Sequence, residues 1–109
     1  MEKVIKDGKV AIVYSPGYGA GWSTWNDTEI NKTLVFHPKI VNMVLEGKTN
    51  QINQDWLVNN FGKEFENVYC SSHLNLAVEW LEEGTVFRIE EYDGFESILI
   101  ISDKTTFTA

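Results

Sequence analysis

Residues 4–14, VIKDGKVAIVY, constrain the fold more than any other stretch. Asp7-Gly8 stands between two β-prone runs. A two-residue turn of this kind joins antiparallel strands, because both turn residues must take positive φ and Asp-Gly tolerates that conformation. The second run carries Val10-Ala11-Ile12-Val13 without a polar position. An unbroken apolar run places that strand inside a sheet rather than at its edge. Ser15-Pro16 then stops it.

The remaining segments supply partners for this strand. Asn26, Asp27 or Thr28 caps a short helical turn, with Glu29 near its start. His37-Pro38 opens the clearest helix, since Pro suits the first helical position. Ile40, Val41, Val44 and Leu45 follow at helical spacing, and Gly47 is a C-terminal stop. A second helix is predicted over Ile52 to Phe61, ended by Gly62. From Leu74 to Leu81 apolar residues recur at every second position, which predicts a strand. Thr85 to Tyr92 and Phe95 to Ser102 give two more, across turns at Glu82-Glu83-Gly84 and Asp93-Gly94. The last residues either fray or pair at an edge. The order ββ-loop-α(α)-βββ(β) predicts an α+β fold. Its antiparallel sheet combines the N-terminal hairpin with a C-terminal meander, and two short helices pack on one face. No repeat or linker interrupts the 109 residues, so one domain, 1–109, is expected. Such a chain buries a thin core, which oligomerisation would supplement.

Charge narrows the function classes. Nine Lys plus Arg stand against sixteen Asp plus Glu, a net charge of −7. Binding to a nucleic-acid polymer relies on clustered cations, so it is not expected. A small anion remains compatible, because backbone amides hold phosphate without net positive charge. No apolar run reaches the roughly 18 residues of a membrane span, and MEKVIKDGK lacks a signal-peptide core. A soluble, cytoplasmic protein is expected. The single cysteine, Cys70, excludes an intramolecular disulfide. With the two histidines it offers too few ligands for a zinc site, so neither metal nor cofactor is expected. Nucleophilic catalysis through Cys70 and His73 is disfavoured too, because on a strand they point to opposite faces.

Two stretches concentrate binding chemistry. In YSPGYGAGWSTWN, residues 14–26, the glycines follow a strand as G-x-G-x-G. Neither the dinucleotide fingerprint nor a phosphate-loop motif is met. Glycines still let backbone approach a ligand closely. Tyr18, Trp22 and Trp25 offer flat faces, Ser23 and Thr24 offer hydroxyls, and Gly19, Ala20 and Gly21 offer amides. The same aromatics equally suit a structural plug in the core or at a subunit interface. In FRIEEYDGFE, residues 87–96, alternation puts Arg88, Glu90 and Tyr92 on one face and Phe87, Ile89 and Glu91 on the other. Arg88 is the only arginine. It serves either as a salt-bridge partner, the commoner role, or as a bidentate phosphate or base contact. Glu90, Glu91 and Asp93 form an acidic cluster. It suits acid–base work, acceptance of hydrogen bonds from a base, or simple solvation.

Taken together, PGYGAGWSTWN, FHPKIVNMVLEG and EWLEEGTVFRIEEYDGFESI resemble a group of small bacteriophage-encoded proteins. That group is similar to nucleotide sponges, which sequester the cyclic nucleotide signals of bacterial defence systems such as CBASS and Thoeris. The resemblance implies a non-enzymatic homo-oligomer, dimer or tetramer, working in the host bacterial cytosol. It would bind a cyclic dinucleotide or a cyclic ADP-ribose isomer and leave it intact. The implied site takes Tyr18, Gly19, Ala20, Gly21, Trp22, Ser23, Thr24 and Trp25 as one wall, and Arg88, Glu90 and Tyr92 as the other. Two rivals come from other classes. One is a nucleotide phosphoester hydrolase using Glu90, Glu91 or His73. The other is a module that binds a host protein through the aromatic loop.

Overall fold

The structure is a computed structural model that describes residues 2–16, 22–26, 28–68, 76–92, 95–100 and 107–108. Strand β1 (Ile5–Lys6) and β2 (Lys9–Tyr14) form the N-terminal hairpin. Asp7 and Gly8 both take positive φ, 54° and 75°, as the Asp-Gly turn requires. Helices α1 (Thr28–Phe36), α2 (Pro38–Leu45) and α3 (Gln54–Phe61) follow, then β3 (Ala77–Glu82), β4 (Val86–Tyr92), β5 (Phe95–Ile100) and β6 (Phe107–Thr108). The fold is α+β with antiparallel strands throughout the described ladders.

Local signals fix the helix ends. His37 caps α2, its Nδ1 accepting from the Lys39 N–H at 3.1 Å, and Pro38 occupies the first turn. Asn53 caps α3 by accepting from the Trp56 N–H at 2.9 Å. The helix therefore begins two residues after Ile52, whose side chain is buried. Helix α1 extends the anticipated short turn to nine residues.

The strands fall into two sheets, ordered β1-β2-β3 and β5-β4-β6. The C-terminal strands thus divide. Strand β3 pairs with β2, setting Val10 opposite Leu81 and Ile12 opposite Glu79, while β4 pairs with β5. At the turn between β3 and β4, Glu83 N–H donates to the Gly8 carbonyl and Gly84 takes φ 91°. The reason for the division is burial. Val10, Ala11, Ile12 and Val13 are all fully buried. Ala11 and Val13 pack against Leu34, Ile40, Val41 and Leu57 of the helices. Val10 and Ile12 face Phe87 and Ile89 of the second sheet. Strand β2 is consequently covered on both sides, and the order of layers is helices, first sheet, second sheet. Helix α1 sits where both cores reach it, Leu34 entering one and Val35 and Phe36 the other. Each buried Val or Ile contributes about 1.5–3 kcal/mol, so this strand is a large part of the driving force. Among the described residues, no helix is long and apolar enough to cross a membrane.

Candidate functional site

Strand β5 carries an acidic residue on its inward face. Glu96 shares that face with Ile98 and Ile100 and lies opposite Glu91 in the ladder. Its residue exposure is only 2%. A buried carboxylate is tolerable only when its oxygens are hydrogen-bonded. Here Oε1 accepts from the Ser15 N–H at 2.9 Å. Oε2 accepts from the Trp22 N–H at 2.7 Å, the Thr24 N–H at 3.1 Å and the Thr24 hydroxyl at 2.7 Å. In return the Glu96 N–H donates to the Ser15 carbonyl at 2.7 Å. One side chain therefore holds both ends of the segment that runs from Ser15 to Trp22.

Trp22 is corrected by the structure. Its ring is fully buried in the helix-side core and its indole N–H donates to the Leu34 carbonyl at 2.9 Å. The ring is a core plug and offers no open face for stacking. Ser23 is buried beside it, and the exposed Thr24 directs its hydroxyl to Glu96. Trp25 lies in the short turn Ser23–Trp25. Tyr18, Gly19, Ala20 and Gly21 lie outside the described residues, as do Cys70, His73 and Asp93.

The other expected wall is on a different surface. Arg88, Glu90 and Tyr92 share the outer face of β4, while Phe87 and Ile89 point to the core. Arg88 pairs with Glu90 at 3.1 Å, both about half exposed, which is the salt-bridge alternative. Tyr92 is 79% exposed. Sheet 2 thus separates these three side chains from the Glu96 carboxylate. The two motif stretches do meet, but through Glu96, which reading by residue type passed over. Its signal was weak: one acid alternating with Ile98 and Ile100 on an otherwise apolar face.

Beside the clamp a cleft of about 360 Å³ opens between the sheets. Tyr14, Glu79 and Leu81 line it from the first sheet, and Glu96 and Ile98 from the second, with Pro16 at the start of the loop. Burial, and then the charge of Glu79, push the Tyr14 phenol above its ordinary value, so it stays a neutral donor. A separate hollow of about 310 Å³ lies at the hairpin end, against Lys6, Asp7, Lys9 and Trp80. No group of His, Cys, Asp and Glu among the described residues is arranged to hold a metal ion.

No protein-family model, no curated protein and no solved structure matches this chain.

Proposed function

We propose that this chain captures a small cyclic nucleotide and releases it unchanged. The observation that carries the reading is the Glu96 clamp, which ties Ser15, Trp22 and Thr24 together while Glu96 itself lines the inter-sheet cleft. The sequence between these two tied ends carries Gly17, Gly19 and Gly21, a residue type that lets backbone approach a ligand closely. Several of the described ionisable groups also have evident structural tasks. His37 caps a helix, Glu96 anchors the loop, and Arg88 and Glu90 pair with each other. Capture would act by mass action: free signal falls when the protein exceeds it and binds it more tightly than the signal's receptor. A homo-oligomer belongs to this reading, supported by exposed Tyr92, Leu99 and Ile100 on the second sheet.

The test is a thermal-shift panel of cyclic dinucleotides and cyclic ADP-ribose isomers, followed by heat release and analysis of the bound compound. A concentration-dependent rise in Tm with intact ligand recovered is the expected result. Turnover by sub-stoichiometric protein would point to a phosphoester hydrolase. An unchanged Tm across the panel, with a host polypeptide co-purifying, would point to a protein-binding module.

The hairpin hollow favours a second placement of the same ligand, because Lys6 and Lys9 join the Trp80 indole there. Cations and a π-face suit a phosphorylated base. Loss of binding in the double variant Lys6→Ala/Lys9→Ala, with Glu96→Gln unaffected, would move the site to that end.

A further inference from the structure

Three features of the inter-sheet cleft limit what it accepts. Its volume, about 360 Å³, is near the small end of the ~300–1,000 Å³ range of ligand pockets, room for a single base and its sugar. Its walls, Leu81, Ile98 and Pro16, are apolar, and no Lys or Arg is among the described residues lining it. That chemistry suits a flat, neutral ring better than a phosphate.

Its polar groups are few and directional. Glu96 lines the cleft, but its oxygens already accept from Ser15, Trp22 and Thr24. Ser97 also lines the cleft, but its side chain shares the outer face with Glu90, so Glu79 and Tyr14 remain. Glu79 lies opposite Ile12, and Tyr14 opposite Ala77, so the two are diagonal neighbours on one face of the first sheet. Among the described residues, no side-chain hydrogen bond occupies either group. One is an acceptor with two oxygens, the other a donor.

We infer that the cleft receives a guanine base, the Glu79 carboxylate accepting from its N1–H and N2–H while the Tyr14 hydroxyl donates to O6. This rests on the nucleotide-capture reading and deepens it. The choice follows from the edges of the bases. Guanine presents two adjacent N–H donors beside a carbonyl, which matches a carboxylate beside a hydroxyl. Adenine and cytosine set one amino group beside a ring lone pair, which a second carboxylate oxygen repels. Uracil sets a single N–H between two carbonyls. The raised Tyr14 phenol remains protonated at neutral pH and keeps its proton available.

The experiment titrates ¹⁵N-labelled protein with guanosine, inosine, adenosine and cytidine, reading the amides of β3 and β5. Guanosine is expected to shift them saturably. Inosine, which lacks the 2-amino group, should bind about tenfold more weakly, and adenosine and cytidine more weakly still. Glu79→Gln should cost guanosine about tenfold or more, and Tyr14→Phe a smaller factor. The Glu79 side chain is exposed, so its variant should fold, and a native Tm checks this. Equal binding of all four nucleosides, or guanosine binding unchanged in Glu79→Gln, overturns the assignment and leaves Glu79 as a charge guarding the edge of β3. If cyclic nucleotides raise Tm but guanosine leaves β3 and β5 unmoved, the base assignment falls and capture stands. If guanosine occupies the cleft and no cyclic nucleotide binds, capture falls and the cleft stands as a nucleoside site.

Discussion

Glu96 and Ser15 bind each other in both directions: the Glu96 N–H donates to the Ser15 carbonyl at 2.7 Å, and the Ser15 N–H donates to Glu96 Oε1 at 2.9 Å. The pair joins the end of β2's segment to the edge strand of the other sheet, 81 residues away in sequence. With Trp22 and Thr24 on the second oxygen, the carboxylate is the hinge-pin between loop and cleft.

Replacing that pin separates its electrostatic and steric parts. Glu96→Gln keeps the shape but loses the charge and one acceptor, so it should destabilise by about 1.5–3 kcal/mol. Glu96→Ala leaves three N–H donors without their acceptor and should cost more, about 3 kcal/mol or above. Urea unfolding measures both. If the clamp serves the site, ligand affinity in Glu96→Gln should fall further than stability alone explains.

Trp22 should behave as core. Trp22→Ala is expected to destabilise by about 3–5 kcal/mol and to disturb the circular dichroism spectrum. Trp22→Phe keeps most of the ring but leaves the Leu34 carbonyl without its donor, at about 1–3 kcal/mol. A native, fully stable Trp22→Ala protein would contradict the burial described here.

The outer face of β4 should matter little to stability. Arg88→Ala removes a half-exposed pair with Glu90, worth about 0–1 kcal/mol. Ligand binding should persist, because sheet 2 lies between Arg88 and the Glu96 carboxylate. A binding loss on this substitution would return the outer face to the site.

His37 gives stability a pH dependence of known sign. Burial, then the positive charge of Lys39, lower its pKa below the ordinary value of about 6.5. The unfolded chain therefore takes up the proton first as pH falls. Its contribution is complete above about pH 6.5 and is lost as pH drops through the lowered folded value. Protonation would also occupy the Nδ1 lone pair that accepts from the Lys39 N–H. His37→Asn should retain a cap and abolish this part of the pH profile, read as Tm against pH.

The backbone punctuation was largely legible. Asp7-Gly8, Pro38, Gly47 and Gly62 act on their own φ and ψ and need no distant partner, so the hairpin and both helix boundaries could be read nearly as they stand. The apolar run of β2 also announced an interior strand. The candidate site was less legible. Glu96 resembled its acidic neighbours Glu90 and Glu91, and only its burial against the Ser15, Trp22 and Thr24 amides distinguishes it. Trp22 looked like an offered ring because composition carries no information about which way a ring turns.

By itself, then, the sequence determined the α+β class, the strand and helix stretches, and the places where the chain must turn, because these follow from local dihedral preferences and periodic hydrophobicity. Tertiary structure alone decided that β3 leaves the expected meander to pair with β2, that Trp22 fills the core, and that Glu96 ties the loop to the second sheet. Those outcomes depend on which apolar faces can cover β2 from both sides, and burial of that kind is chosen between residues far apart in the chain.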